Sequence, residues 1–219
     1  MQNELYKHGK IECSICCDAD ECKLEDGWEI YNNPCYWGSS SPKVLVLGYS
    51  KGATQMNSNY DSQDEFNKIA FKGMRPRLKQ VLVKLNLIDE SVDIDKLFSK
   101  DEERFGFASL VRCGVSLDGK TSGSLINKSF KEDTQIKDII DKCTTKFLKE
   151  NMPDSVEEVV LLGSLKDYKK KLTKHFEIIY ADEIFEKIDD SSFKANNIIW
   201  RFVAHPSPAN GHFDDWMNR

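Results

Sequence analysis

Hydrophobic and polar positions along this chain follow two kinds of repeat. Short, nearly continuous apolar runs rich in Val, Ile and Leu are typical of buried strands, whereas apolar residues three or four positions apart indicate amphipathic helices. The predicted strands are residues 44–47, 105–112, 159–163, 177–180 and 198–204. The predicted helices are residues 78–85, residues 134–150 and a lysine-rich helix that ends near His175. Residues 53–64 and 115–131 show neither repeat and are predicted to be loops.

Buried strands that alternate with helices predict an α/β fold with a parallel sheet covered on both faces. We expect a three-layer α/β/α sandwich with a central, mostly parallel sheet of four to five strands. A single domain is expected to span residues 1–219. Residues 1–42 show little periodicity and predict an irregular, cysteine-rich N-terminal segment packed on that domain.

Composition and charge narrow the function classes. The chain has 31 Lys and Arg residues against 36 Asp and Glu, which argues against broad nonspecific affinity for nucleic acid but leaves room for a local basic groove. No run approaches the roughly 20 apolar residues that cross a bilayer, and the first residues lack the apolar core of a signal peptide. We therefore expect a cytoplasmic protein without a membrane partner, and we expect a monomer.

The cysteines are unevenly placed. Five lie in the first 35 residues and two lie later: Cys13, Cys16, Cys17, Cys22, Cys35, Cys113 and Cys143. In a reducing compartment, this pattern favours binding of a metal ion or cluster over disulfide formation.

The last predicted strand ends abruptly at His205-Pro206-Ser207-Pro208. Two prolines prevent its continuation as strand or helix, so the imidazole is held at the carboxyl end of a strand, where open α/β sheets bind ligands. Histidine is well suited to donate a hydrogen bond or to carry charge near neutral pH. His205 is therefore a candidate catalytic residue.

Four segments in order along the chain carry a family resemblance. They are VLVLGYSKG (44–52), FKGMRPRL (71–78), FASLVRC (107–113) and HPSPANGHF (205–213). Together they resemble the uracil-DNA glycosylase superfamily, most closely its iron–sulfur branch, over roughly residues 13–213. The resemblance implies an enzyme that flips a base out of DNA and cleaves its N-glycosidic bond.

The resemblance also implies a [4Fe–4S] cluster with a structural role. Its ligands would be a Cys-x-x-Cys before the first strand, a cysteine that closes the second strand and one in the next helix. The matching residues are Cys13, Cys16, Cys113 and Cys143. By ligand type alone, four thiolates suit zinc equally well. Three further cysteines remain alternative ligands: Cys17, Cys22 and Cys35.

The resemblance assigns roles in DNA binding and catalysis as well. His205 would donate a hydrogen bond to the departing base, and Phe71 would stack on the flipped base. Ser207 would contact a flanking phosphate through its hydroxyl or its backbone N–H. The loop from Gly48 to Gly52 would bring the backbone close to the sugar, because glycine has no Cβ.

The first departure from the family's pattern concerns the carboxylate. The iron–sulfur branch has a carboxylate directly after the first glycine of this loop, and other branches have Asp or Asn one residue later. Here these positions hold Tyr49 and Ser50, neither of which can act as a carboxylate. Asp61, Asp64 and Glu65 follow and are candidates to fold back over the site.

The second departure is Ser109, which stands where the family has an asparagine that reads one edge of uracil. A smaller side chain widens the pocket, and loss of a bidentate pair costs about 1–3 kcal/mol of discrimination between bases. Plain uracil is therefore not the expected substrate.

Three hypotheses follow. The first is a DNA glycosylase that acts on a modified or damaged base. The alternative is a catalytically inactive protein that retains the fold and binds nucleic acid or a nucleobase, as Tyr49 and Ser50 suggest. The third is a lyase-type mechanism in which the Lys51 amine attacks the sugar as a nucleophile.

Overall fold

The structure, a computed structural model, describes residues 3–56, 60–121 and 125–219. Its strands are β1 (Gly9–Lys10), β2 (Glu21–Lys23), β3 (Trp28–Tyr31), β4 (Cys35–Gly38), β5 (Val44–Gly48), β6 (Phe105–Ser109), β7 (Gly114–Leu117), β8 (Glu158–Leu162), β9 (Phe185–Asp189), β10 (Ser192–Ala195) and β11 (Ile198–Val203). Its helices are α1 (Ala53–Met56), α2 (Gln63–Ile69), α3 (Arg75–Lys84), α4 (Ile126–Ser129), α5 (Gln135–Thr144), α6 (Lys166–Ile179) and α7 (Phe213–Met217). Two 3₁₀ segments, Glu4–Tyr6 and Ile94–Phe98, and a π-helical turn, Thr145–Lys149, are also present.

The main sheet has eight strands in the order β1-β4-β6-β5-β8-β11-β10-β9. The four central strands β6, β5, β8 and β11 are parallel neighbours, whereas the two strands on each flank pair antiparallel. The chain is α/β as predicted, but the predicted sheet of four to five strands is too small. The central strands are continuous apolar runs, while a flanking strand such as β9 is mostly exposed and charged. Such a strand lacks the apolar pattern by which strands are recognised.

The N-terminal segment is more regular than the sequence predicts. β4 pairs with β6 and β1 pairs with β4, so this segment extends the main sheet on one side. β2 and β3 form a second, three-stranded sheet with β7. These strands are two to four residues long, which is too short for an alternating pattern to reveal them.

Both predicted loops contain regular structure. The loop predicted at 53–64 holds α1 and the start of α2, and residues 57–59 lie outside the described residues. The loop predicted at 115–131 overlaps β7 and holds α4, and residues 122–124 lie outside the described residues.

The strand predicted at 177–180 is wrong, because α6 continues to Ile179. A run of four residues with two isoleucines fits a strand and a helix equally well, so periodicity does not distinguish them. The helix is favoured by an apolar stripe at spacings of one helical turn. Its buried members are Tyr168, Leu172, His175 and Phe176.

Two hydrophobic cores cover the two faces of the parallel strands. Along β5, Leu45 and Leu47 belong to one core and Val44 and Val46 to the other, because successive side chains point to opposite faces. Helices α5 and α6 contribute to the first core and α3 to the second. No helix in the part of the chain that the structure describes is long and apolar enough to cross a membrane.

We expect Gly106→Ala to lower the free energy of unfolding by about 1–3 kcal/mol through overpacking. A Cβ at this position in β6 would overlap the hydroxyl and ring of buried Tyr36, whose hydroxyl donates to the Ser39 carbonyl at 2.6 Å. Chemical denaturation measures the change. Gly211→Ala is the control, because no heavy atom lies within 4 Å of its Cβ position, and it should shift stability by less than about 0.5 kcal/mol. Equal losses in both variants would contradict this packing.

Candidate functional site

The carboxyl ends of the four parallel strands lie along one edge of the sheet. Gly48 ends β5 opposite Ser109, which ends β6, and His205 follows β11 two strands away. Neighbouring strands are about 4.8 Å apart, so the ends of β5 and β11 are separated by about 10 Å. A Cβ on Gly48 would lie 3.8 Å from Ser109 Oγ, so the serine side chain is the nearest group to this glycine. The topology therefore brings these three predicted site residues to one edge.

A set of hydrogen bonds holds the loop that carries His205. The Ser207 backbone N–H donates to His205 Nδ1 at 3.2 Å, and the Asn210 amide donates to the His205 carbonyl at 2.8 Å. From α3, the Arg77 guanidinium donates to the Ser207 carbonyl at 2.9 Å and lies 4.6 Å from the ring centre of Phe213. These contacts hold the backbone of the loop at two carbonyls and orient the imidazole through Nδ1.

These contacts determine the protonation state of the imidazole. Because Nδ1 accepts the Ser207 N–H, a neutral His205 carries its proton on Nε2. Burial lowers the pKa of His205 below its ordinary value, so the neutral form predominates near pH 7. His205 is therefore prepared to donate one hydrogen bond from Nε2 without carrying a charge.

Two predicted site residues are packed into the hydrophobic cores. Tyr49 lies beside Phe130, burial raises the pKa of its phenol, and its hydroxyl has no hydrogen-bond partner among the described residues. Phe71 is only 6% exposed and packs against Phe98 and Phe107, with ring centres 5.7 and 5.9 Å away. Its φ of 51° is in the left-handed region, which is unfavourable for an aromatic residue. In this conformation, Phe71 serves as a core residue.

The candidate carboxylates lie on the surface. Asp61 and Asp64 are exposed at the start of α2, where the Ser62 hydroxyl accepts the Glu65 N–H. The Glu65 carboxylate accepts the Asp61 backbone N–H at 3.0 Å. These contacts cap the helix locally and do not include His205.

Lys51 points into the protein. It is 4% exposed, and its Nζ donates to Asn33 Oδ1 at 3.3 Å. The Lys51 charge also acts on Cys35 and Cys113, which places the amine beside the cysteine-rich segment. Of the remaining loop residues, Ser50 is partly exposed and Gly52 is open on its Cβ side.

The four predicted cysteine ligands line one cavity of about 20 Å³. Cys13 and Cys16 come from the N-terminal segment, Cys113 from the turn before β7 and Cys143 from α5. Burial raises the pKa of Cys113 and of Cys143 to about 12, so both are thiols when no metal is bound. The four cysteines that the resemblance implies therefore line one cavity together with Cys17, and their role as ligands stays a prediction.

Two basic residues, Arg112 and Lys146, lie beside these thiols. The Arg112 backbone N–H donates to Cys143 Sγ at 3.3 Å, and Lys146 Nζ lies 3.5 Å from Cys13 Sγ. Arg112 lines the same cavity, its charge acts on Cys143, and its side-chain nitrogens form no hydrogen bond to a described residue. Four thiols beside an uncompensated cation are a suitable environment for an anionic, thiolate-ligated group. Within the described ranges, however, no three His, Cys, Asp or Glu side chains are arranged to hold a single metal ion.

The other three cysteines are not free thiols of this cavity. Cys17 and Cys22 form a disulfide, which differs from the predicted preference for metal binding over disulfides. Cys17 still lines the cavity, but a bonded sulfur is not a thiolate ligand. Cys35 is a buried thiol in the core on the opposite face of the sheet.

Sequence reasoning missed three residues that organise these sites: Arg77, Arg112 and Asn210. Arg112 lies inside the apolar segment FASLVRC, directly before Cys113. An arginine in such a segment, next to a predicted ligand, could have been recognised from the sequence as a charge near the cysteines. Arg77 and Asn210 act on backbone carbonyls, and such contacts leave no pattern in a single sequence.

A second cavity, of about 380 Å³, lies at the start of β6 and is lined by residues such as Leu87, Glu102 and Arg104. Neither of these two cavities is lined by His205 or Phe71. The chain matches no protein-family model and no curated protein.

The lowered pKa of His205 predicts a pH-dependent contribution to stability. The unfolded chain binds this proton at about pH 6.5, whereas the folded chain binds it only at lower pH. The contribution is therefore complete above about pH 6.5 and is lost as pH falls through the pKa of the folded chain.

We expect the wild-type chain to lose more unfolding free energy than His205→Gln between about pH 7.5 and pH 5, as measured by urea denaturation. His8, whose pKa burial also lowers, is present in both proteins and cancels in the comparison. Parallel curves of stability against pH would show that His205 is not buried as described.

Proposed function

We propose that the chain is a DNA glycosylase that hydrolyses the N-glycosidic bond of a flipped, modified or damaged base. The observation that carries this proposal is the partly buried imidazole of His205 at the carboxyl edge of the sheet, whose Nδ1 accepts the Ser207 N–H and whose neutral form therefore carries an Nε2–H. The position of Gly48 and Ser109 at the same edge supports the proposal. So does the shared cavity of the four cysteines that the family resemblance implies.

In the proposed reaction, the bond between the sugar and the base nitrogen breaks, and its electron pair leaves with the base. Water then adds to the sugar carbon and releases a proton. Negative charge grows on the departing base, so a hydrogen bond from His205 Nε2–H becomes stronger in the transition state than in the ground state. A neutral donor suits this task near pH 7, because it gives this hydrogen bond without first having to gain a proton.

Other residues of the edge would shape the substrate site. Ser109 leaves more space beside Gly48 than an asparagine would, which favours a bulky base over plain uracil. The Ser207 hydroxyl accepts the Ala209 N–H at 3.3 Å and keeps its own proton free for a phosphate oxygen. Stacking by Phe71 would require its ring to leave Phe98 and Phe107.

The proposal includes the remaining expectations about the protein. The partner is DNA with a flipped base, the chain acts as a monomer, and the location is cytoplasmic. The layering is a three-layer α/β/α sandwich, which is supported by the separate cores that hold α3 on one face and α5 and α6 on the other.

A second candidate function is a binding protein that retains the fold without hydrolysis. Asp61 and Asp64 are exposed, and Tyr49 is packed in the core, so none of the three is placed to position water or to stabilise a cationic sugar. This candidate predicts affinity for modified DNA or a free nucleobase without cleavage.

One experiment distinguishes the two candidates. The purified protein is incubated with oligonucleotides that carry uracil or oxidised, deaminated or glycosylated bases, and abasic sites are revealed by alkaline strand cleavage. We expect cleavage at a modified base, with a rate that falls about 10²- to 10³-fold in His205→Ala, because one donor to the leaving group is lost. His212→Ala, an exposed histidine of the same loop, is the matched control and should keep the wild-type rate. Binding without cleavage across the whole panel would favour the second candidate, and an active His205→Ala would remove the proposed role.

We propose further that Cys13, Cys16, Cys113 and Cys143 hold a [4Fe–4S] cluster. Such a group supplies a covalent tie among distant parts of the chain when it is bound. Here it would connect the N-terminal segment to the turn after β6 and to α5. Zinc remains the alternative by ligand chemistry.

We expect protein purified under anaerobic conditions to contain iron and sulfide and to be brown. Cys113→Ser and Cys143→Ser should lose most of the iron, because each removes a thiolate from the shared cavity. Cys35→Ser is the matched control, since this buried thiol lies in the other core, and it should keep the wild-type content. Elemental analysis and visible absorbance measure the outcome. Zinc in place of iron would select the alternative metal, and equal content in all variants would exclude this ligand set.

A further inference from the structure

Arg112 is the most deeply buried charged side chain of this site. It is 1% exposed, and its Nε and both terminal nitrogens lack a hydrogen-bond partner among the described residues. Three aromatic rings surround the guanidinium: Tyr6 at 5.1 Å, Tyr36 at 5.8 Å and Phe147 at 4.8 Å from its central carbon. The chain has thus placed a permanent charge in an apolar environment.

The aromatic groups around Arg112 supply no negative charge, and no described residue forms a hydrogen bond with its side-chain nitrogens. The Tyr6 hydroxyl donates to the Phe147 carbonyl, and the Tyr36 hydroxyl donates to the Ser39 carbonyl. The Tyr6 phenol interacts with the guanidinium, but burial raises the pKa of Tyr6 to about 12, so it is a neutral group and not a counter-charge. Cation–π contacts recover only a small part of the cost of removing an arginine from water. A buried cation of this kind calls for an anion nearby.

The cysteine cavity is the adjacent place for that anion. Arg112 lines the cavity, and its own backbone N–H reaches Cys143 Sγ. The guanidinium packs on the ring of Phe147, which lines the same cavity. A cluster bound there by four thiolates would carry a net negative charge beside the guanidinium.

We propose that the Arg112 guanidinium is the buried counter-charge of the group held by the four cysteines, and that it favours the binding and the reduction of that group. This inference rests on the proposed cluster. A nearby positive charge stabilises an anionic cluster, and it stabilises the reduced form more because that form carries one more electron. Arg112 is therefore a positioning and tuning residue and takes no direct part in base excision.

The proposal predicts effects of opposite sign in the loaded and the iron-free protein. With the cluster bound, removal of the guanidinium leaves an anion without its counter-charge and should weaken retention. Without the cluster, the same substitution removes an uncompensated buried cation and should stabilise the fold. A residue with a purely structural role would lower stability in both states.

The test compares Arg112→Met and Arg112→Lys with wild type. Arg104→Met is the matched control, because Arg104 also lies over an aromatic ring, that of Phe105, but faces the second cavity. The readouts are iron retention against a chelator, the cluster's reduction potential by titration monitored with electron paramagnetic resonance, and Tm of loaded and iron-free protein. Arg112→Met should weaken iron binding about 10- to 100-fold, shift the potential to more negative values and raise Tm of the iron-free chain. Arg112→Lys should keep more of the iron, and Arg104→Met should match wild type in iron and potential.

The outcomes separate this inference from the proposals on which it depends. Wild type that binds no iron after anaerobic reconstitution with iron and sulfide overturns both the cluster and the inference. Iron-loaded wild type with unchanged iron retention and potential in Arg112→Met overturns the inference alone. If Arg112→Met does not fold, the reduction potential and the iron retention of Arg112→Lys test the inference in its place. Arg104→Met with the iron retention and potential of wild type would show that the effect is specific to Arg112. Glycosylase activity enters none of these readouts.

Discussion

The parallel pairing of β6, β5, β8 and β11 is the constraint on which the rest of the structure depends. The four strands run in one direction, so their carboxyl ends share an edge, at which Gly48 ends β5, Ser109 ends β6 and His205 follows β11. Both faces of these strands are apolar and buried, which stabilises the pairing without any contribution from the loops. The loops are thus free to carry residues chosen for chemistry.

Burial has opposite consequences for two side chains of this fold, His205 and Arg112. At His205, desolvation favours the neutral imidazole, which is the form that the proposed mechanism requires. At Arg112, the charge persists at every accessible pH, so the same desolvation leaves a cost that only an anion removes. In these proposals, the His205 site needs no bound group to reach its working protonation state, whereas the Arg112 site would gain stability from a bound anion.

The sequence predicted the elements that are long and apolar and whose pattern lies within one continuous stretch of the chain. The central strands, the stripe of α5 and the four cysteines of one cavity all leave a pattern that a single sequence carries. The flanking strands did not, because they are short or charged and form only by pairing with a partner distant in the chain. The orientations of Tyr49 and Phe71 were not predictable either, since an aromatic side chain fits a core and a base pocket equally well. Contacts between distant parts of the chain determine both the flanking strands and the orientations of these two side chains.

The composition of the edge constrains the chemistry of the proposed function. In the proposed mechanism, the group that meets developing charge is the Nε2–H of His205, while Asp61 and Asp64 lie on the surface. A site of this kind stabilises the leaving base by an amount typical of one preorganised donor, about 3–4 kcal/mol, and contributes no carboxylate to the cationic sugar. Bond cleavage then depends strongly on how well the base itself accepts the electron pair. The proposed enzyme is therefore best matched to bases whose modification already weakens the glycosidic bond, in agreement with a serine, and not a larger asparagine, at position 109.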